Sequence, residues 1–389
     1  MKVVLLSKAL VVGTYRRQLE WMARDPEVEL VAVVPPSWRE PGVGEIRLEG
    51  PSASGYRLRV CPIAFNGHFH LYFWPSLGRV LREERPDILH VDEESFNPAT
   101  FQAIWLGQRR GARCLFFNWA NIYRRLPPPF CWFERYNLTH AAYAVAGNHQ
   151  AAEVLRRKGY RGPLRVIPQF GVDEEVFRPG RPSPLPPVPP FPSPQMGRGE
   201  GGAGGEEERA TALTIGYAGR FVPQKGLLDL LEAVAGLPWA RLLLVGGGVM
   251  EAELRRRAGQ PDLQGRVEFA GRVPSSALPD LYRRMDVLVL PSRTTPTWKE
   301  QFGRVLVEAM ACGVPVVGSS CGEIPQVIGE AGLVYPEGEV MALRAALERL
   351  RDSGERAELG RRGRERVLAH FTQKRVAQAY LEVYREMMG

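Results

Sequence analysis

Little in this 389-residue sequence belongs to the commoner catalytic signatures. It has no GxxxxGK[ST] phosphate loop, and "GGGVMEAEL" stops short of the dinucleotide fingerprint because the third glycine position falls on Glu251. No Asp-x-Asp pair occurs. Of the six histidines only His68 and His70 stand close together, with no cysteine or carboxylate beside them, so a metal site has little support. The five cysteines form no CxxC pair and sit mostly in apolar contexts. They read as reduced, buried thiols of a cytosolic protein, not as a disulfide frame. No uninterrupted apolar run reaches the ~18–20 residues that span a bilayer. The opening "MKVVLLSKALVVG" is broken by Lys8 and lacks a small-residue cleavage site, so it reads as a first strand and loop.

The composition is that of an ordinary globular chain, 44% hydrophobic and 24% charged, and the length favours two domains. The net charge of +8 is unevenly spread. Residues 1–180 hold 24 Lys+Arg against 18 Asp+Glu, and the remainder 27 against 25. The basic excess of the first half suits a phosphate-rich or membrane-surface partner, or is simply a solvated face.

Short β-branched runs ("KVVLLS", "VELVAVVP", "RLRVCPI", "DILHV", "RCLFFN", "AAYAVAG", "LRVIPQ") alternate with amphipathic segments such as 71–84, 99–110 and 150–158. This alternation predicts a parallel sheet covered by helices on both faces. The rhythm breaks at 178–210, which is proline-rich, then glycine-rich, then acidic, and reads as a linker. It resumes with "ALTIGYAG", "ARLLLVGG", "RVEFAG", "VLVLPS", "VPVVGSS" and "GLVY", and the last ~50 residues are helical in pattern. The expected fold is therefore α/β, two doubly wound domains with a cleft between them, and ligands outside the carboxyl ends of the strands.

Two stretches could carry chemistry. "GYAGRFVPQKGLLDLLEA" is a strand, a glycine turn, Arg220, a loop, Lys225 and a helix starting near Gly226. Two cations beside a helix N-terminus suit an anion such as a diphosphate. In "KEQFGRVLVEAMACGVPVVGSS", Phe302, Val305, Leu306, Ala309 and Met310 keep the spacing of a packed helix face, yet Glu308 stands among them. An enclosed carboxylate needs partners. Two ribose hydroxyls would serve, and so would a neighbouring arginine. Glu300 lies in the loop ahead of the same helix, near its positive end.

Taken in order, these pieces resemble family 4 of the glycosyltransferases, the large retaining family of GT-B architecture. The pattern E-x-FG-x-x-x-x-EAMA-x-G-x-PVV carries the resemblance, with "GRVP", "RPDILHVDEES" and "VIPQFGVDEEVFRP" supporting it. It implies two Rossmann-like domains: 1–178 on the acceptor side, completed by a C-terminal helix 372–389, and 212–371 on the nucleotide-sugar side, with 179–211 as linker. It also implies that Arg220 and Lys225 clamp the donor diphosphate, Glu308 takes the ribose and Glu300 approaches the sugar. The amides of Phe302 and Gly303 would donate to sugar or phosphate, and Arg272 and Val273 would meet the base. The loop 8–15, with Gly13, would lie beside donor and acceptor. Many members carry a histidine after the fifth N-terminal strand. Here the place reads "FFNWANIYRR", leaving Asn118 or a neighbour to stand in. The glutamate usual in G-x-PE-x-I is Gln326.

The implied activity is metal-independent transfer of a hexose from a UDP-, GDP- or ADP-sugar, with no further cofactor. The acceptor would be a saccharide, a lipid-linked glycan or a small molecule, and nucleic acid is not among the expected partners. A nucleotide-sugar epimerase, a non-catalytic sugar-binding protein and an inactive relative are the rival readings. The aromatic stretch 65–84 followed by arginines offers a peripheral membrane contact as an alternative to plain core.

Overall fold

In "KVVLL" the side chains alternate between two cores: Val3 and Leu5 enter one, Val4 and Leu6 the other. A parallel strand covered by helices on both faces requires this pattern, and most of the β-branched runs follow it. The computed structural model describes residues 1–40, 44–50, 54–181 and 212–389. These divide into two units, Met1–Gly171 with Gln373–Gly389, and Val172–Thr372.

The first unit holds a seven-stranded parallel sheet of order β5-β2-β1-β6-β7-β8-β9. Its strands are β1 (Lys2–Leu6), β2 (Glu29–Val34), β5 (Arg57–Val60), β6 (Ile88–Val91), β7 (Arg113–Asn118), β8 (Tyr143–Ala146) and β9 (Leu164–Val166). A hairpin absent from the sequence reading, β3 (Ser37–Glu40) against β4 (Gly44–Arg47), stands beside it. The expected helix 71–84 is only Leu77–Glu84, because Pro75 biases the residue before it away from helical backbone. The last helix, Gln373–Met388, buries Val376, Tyr380, Val383, Tyr384 and Met387 in the same core as Val3 and Leu5. Its Tyr384 hydroxyl pairs with His90 Nδ1 at 2.8 Å.

The second unit is a six-stranded parallel sheet of order β12-β11-β10-β13-β14-β15. The strands are β10 (Leu213–Arg220), β11 (Ala240–Gly247), β12 (Val267–Gly271), β13 (Val287–Leu290), β14 (Val316–Ser319) and β15 (Leu333–Tyr335). Residues 172–178, read from the sequence as the end of the first domain, pack here instead. Val172 N donates to Phe371 O at 2.8 Å, and Arg364 Nη1 donates to Phe177 O (2.7 Å) and Ala311 O (2.8 Å). Most of the segment expected to be the linker, from 182 to 211, lies outside the described residues. Among the described residues no helix is long and apolar enough to cross a membrane.

Both sheets reverse their strand order beside the first strand of the unit, between β1 and β6 and between β10 and β13. In open α/β sheets the crevice outside the carboxyl ends of the strands at such a point is the ligand position.

Candidate active site

In the second unit that crevice is built by close packing of backbone. Tyr217 Oη donates to Arg220 O at 2.9 Å, fixing the end of β10 and leaving the Arg220 side chain exposed. A 3₁₀ turn, Pro223–Lys225, leads to Gly226 at φ +64°, and the helix Leu227–Ala235 begins there. A Cβ on Gly226 would stand 2.0 Å from Pro291 O, so only glycine lets this turn lie against the end of β13. The neighbouring loop is tied to the turn by Arg293 N, which donates to Gln224 O at 2.8 Å. The Arg293 guanidinium is engaged with Asp229 at 2.5 and 2.6 Å.

Lys225 and Glu300 form an ion pair inside this frame. Ser292 Oγ donates to the same carboxylate oxygen, Glu300 Oε2, at 2.9 Å, and Ser292 is fully buried. The Lys225 ammonium lies 5.0 Å from the centre of the Trp298 ring. The Glu300 backbone is held as well: its carbonyl accepts from Glu323 N at 3.0 Å, and a Cβ on Gly322 would meet that carbonyl at 2.1 Å. Lys225, Glu300 and Ser292 are thus one hydrogen-bonded group at the ends of β10 and β13.

Gly303, at φ +76°, opens the helix Arg304–Ala311, and Phe302 packs edge-on against Phe371. Glu308 is 3% exposed. Arg304 Nε donates to its Oε1 and Tyr282 Oη to its Oε2, both at 2.7 Å. Burial raises its pKa, against the pull of Arg304 and Tyr282. The arginine partner that competed with ribose in the sequence reading is therefore present. Tyr282 was not foreseen at all. Arg272 is exposed beyond β12 and lies against the end of β11, where a Cβ on Gly247 would stand 3.1 Å from its Nε; Val273 follows, half-buried.

The crevice of the first unit is acidic. Ser7 Oγ donates to Asp92 Oδ2 at 2.6 Å, and Gln169 Nε2 to Asp92 Oδ1 at 2.8 Å. Lys8 Nζ reaches both oxygens of Glu93, at 2.5 and 2.6 Å, and stands 4.6–5.3 Å from the ring centres of Phe69, Tyr72 and Trp38. Burial pushes Asp92 up to about 6 and Glu94 up to about 7, with the Glu93 charge adding in each case. Ser7 and Gln169 oppose the shift at Asp92, and the Trp119 and Ala120 amides oppose it at Glu94. These three carboxylates, within "RPDILHVDEES", have no role in the expectations from sequence. Their signal was a run of acids directly after an apolar strand.

Two site residues expected in this unit have hydrogen-bond partners within it. Gly13, in the loop 8–15 expected beside donor and acceptor, donates from its amide to Glu49 Oε2 at 2.6 Å. Asn118 is 1% exposed and lies on the inner face that Phe116 also lines. In the amide orientation that satisfies both ends, its nitrogen donates to Glu94 Oε2 (2.8 Å) and Ser95 Oγ (3.2 Å), and its oxygen accepts from Ala120 N (3.2 Å). In this orientation both amide protons are used, and one carbonyl lone pair is left to accept a further bond. Asn118 thus supports Glu94 within this unit, and its standing in for the family's histidine is an expectation for experiment.

Two parallel α/β units, each with its reversal point, define the class. Over whole chains the structure is similar to sucrose-phosphate synthase from Thermosynechococcus elongatus (TM-score 0.69, 22% identity, 100% of this chain and 99% of that one). It is also similar to HepE from Anabaena in complex with UDP (TM-score 0.67, 17% identity, 99% and 100%). These likenesses show the fold, that of the GT-B proteins. The family model described as glycosyl transferases group 1 matches residues 205–366, and that of the glycosyl transferase 4-like domain matches 12–169. The chain belongs to the group 1 glycosyltransferases.

Among its relatives, the lipopolysaccharide core biosynthesis glycosyltransferase LpsE of Rhizobium meliloti is 34% identical over 178 residues, 45% of this chain and 50% of that protein. A GDP-mannose-dependent monoacylated alpha-(1-6)-phosphatidylinositol monomannoside mannosyltransferase of Corynebacterium glutamicum is 34% identical over 184 residues, 43% and 48%. The D-inositol 3-phosphate glycosyltransferase of Mycobacterium bovis is 30% identical over 255 residues, 63% and 48%. The chain spans about half the length of the curated relatives it matches.

Proposed function

We propose that the protein transfers a hexose from a nucleoside-diphosphate sugar to an acceptor hydroxyl, with retention at the anomeric carbon and without a metal ion in the chemistry. The observation that carries this reading is the group at the ends of β10 and β13. Lys225 and the exposed Arg220 flank a turn that runs into a helix N-terminus, and Glu300 is fixed beside them. Cations there stabilise charge that grows on a departing diphosphate. The leaving group then takes the acceptor's proton, and no dedicated base is needed. A curated relative named as GDP-mannose-dependent and a structural neighbour holding UDP support a nucleotide-sugar donor.

In this reading the amides of Phe302 and Gly303 serve the sugar or phosphate, and Arg272 with Val273 the base. Glu308 takes the ribose either on its remaining lone pairs or by exchanging Arg304. The five cysteines are free, in keeping with a cytoplasmic setting. Release of nucleoside diphosphate from a panel of UDP-, GDP- and ADP-sugars, with and without chelator, is the test. No release from any donor sinks the reading, and release abolished by chelator removes its metal-free part.

A lipid-linked acceptor is favoured by one surface. Phe65 (58% exposed) and Leu71 (51%) project from a loop whose His70 ring lies 6.0 Å from Phe130, at the start of the helix that exposes Trp132 (65%). Aromatic and aliphatic side chains of this kind insert at the boundary of a bilayer. Flotation with anionic liposomes in which the protein stays at the bottom would exclude it.

A further inference from the structure

We propose that Glu300 is an internal counter-ion for Lys225, which the donor's diphosphate displaces and the donor's sugar then satisfies. The free nucleoside diphosphate is accordingly the poorer ligand. The proposal rests on the reading that the diphosphate binds at the turn of Arg220 and Lys225.

The side chains of Lys225 and Glu300 are only 14% and 10% exposed, and they neutralise each other. Ser292, buried at the end of β13, donates to the oxygen that Lys225 also holds, and Ser319 Oγ fixes Ser292 through its carbonyl at 2.5 Å. Another cation of this loop, Arg293, is engaged with Asp229. A phosphate that draws Lys225 away separates a shielded carboxylate from this positive partner. Such a group is costly unless new donors reach it. Sugar hydroxyls are such donors, since a carboxylate accepts from two at once. The intact donor brings them. The product diphosphate does not, so the Lys225–Glu300 pair re-forms against it and promotes its release. Ser292 is then a positioning residue, keeping Glu300 aimed at Lys225 in one state and at the sugar in the other.

The test uses the full-length protein with UDP, GDP and ADP titrated in turn, continuing with whichever binds. Glu300→Gln keeps the shape and removes the charge. We expect the nucleoside diphosphate to bind it 3–10-fold more tightly than the wild type, product inhibition to strengthen equally, and turnover of the sugar donor to fall. Lys225→Ala should weaken the nucleoside diphosphate, and adding Glu300→Gln to it should restore nothing. Ser292→Ala should lower kcat with little change in KM and tighten the diphosphate about twofold, with Ser292→Thr recovering kcat. Unchanged or weaker binding in Glu300→Gln, with Lys225→Ala still weakened, overturns the counter-ion proposal and leaves the diphosphate site standing. Unchanged affinity in Lys225→Ala overturns both. Melting temperatures of each variant keep loss of fold apart from loss of binding.

Discussion

The Tyr282 hydroxyl, from the short helix Leu278–Tyr282, donates to Glu308 Oε2, while Arg304 holds Oε1 from one turn earlier in the helix of Glu308 itself. A carboxylate satisfied by both its neighbours can be a structural brace, a ribose acceptor, or both. Glu308→Ala leaves the buried Tyr282 hydroxyl without a partner, which should cost about 1–3 kcal/mol of stability. If ribose binds here, the same variant loses on the order of 1.5–3 kcal/mol of nucleoside diphosphate affinity. Arg304→Ala separates the roles. A ribose acceptor freed of its arginine gains affinity, whereas a pure brace shows a lower melting temperature and no change in calorimetric titration.

Lys225→Ala should lower kcat by about tenfold or more, roughly 1.4 kcal/mol of transition-state stabilisation, with a smaller rise in KM. Charge on the leaving diphosphate grows toward the transition state, so its cation matters more there than in the ground state. Steady-state kinetics on a working donor decides it. An effect confined to KM would mean that the lysine serves ground-state binding alone.

How far the sequence speaks for the fold depends on where the information lies. Strands buried on both faces read as apolar runs, so β1, β6, β10 and β11 are visible without a structure. The turn of Arg220 and Lys225 is visible because its charges sit between a strand and a helix. The hairpin of "SWRE" with "GEIR" is not, since neither arm alternates cleanly and its pairing depends on the partner. Tyr282 on Glu308 is a contact across 26 residues that no local spacing encodes. The partners of Asn118 are hidden for a related reason. A residue at a strand end lies at the crevice rim, yet the strand's alternation turned this side chain inward, beneath Glu94.

Glu94 should give the protein a measurable pH signature. Its folded pKa, pushed to about 7 by burial, stands above the ordinary 4.5. The folded state therefore binds more protons between these values. The stability from this group is fully present below about 4.5 and is lost as pH rises through about 7. Lys8, Glu93 and Asp92 face the same crevice and remain in any variant. Glu94→Gln should flatten the decline between pH 5 and pH 8 by on the order of 1–3 kcal/mol. Urea midpoints of wild type and variant across that range are the measurement, and parallel curves would contradict the assignment.

The last helix should be indispensable to the first unit. Val376, Tyr380, Val383, Tyr384 and Met387 are buried in its core, and each large apolar side chain contributes roughly 1.5–3 kcal/mol by burial. Their loss together rivals the whole stability of a typical domain, about 5–15 kcal/mol. A chain ending at residue 372 should therefore lose the cooperative unfolding of this unit and expose Trp21 and Trp119 fluorescence to quenchers. Tyr384→Phe, which deletes only the bond to His90, should cost about 0.5–1.5 kcal/mol. A truncated chain that unfolds like the full one would show that the helix merely decorates the surface.

Asn118 provides the clearest separation between a group that holds substrate and one that holds the fold. Its amide donates to Glu94 and Ser95 and accepts from Ala120, all inside the unit. Asn118→Ala removes these bonds and leaves the half-buried Glu94 short of a donor, at a cost of about 1–3 kcal/mol. In a unit of this size each kcal/mol lowers the melting temperature by roughly 2–4 °C. Well below that temperature kcat should fall much less than a lost sugar contact would demand. Asn118→His should be no better than alanine, because a bulkier ring must enter a site that is 1% exposed. Asn118→Asp is the most telling variant. It sets a second carboxylate against Glu94, so the pair resists double ionisation and one proton is held to higher pH. That variant should approach wild-type stability near pH 5 and fall away steeply toward pH 8. Melting curves at the two pH values, beside kcat at one temperature, settle the question. A wild-type melting temperature with a hundredfold loss of kcat would return Asn118 to the substrate.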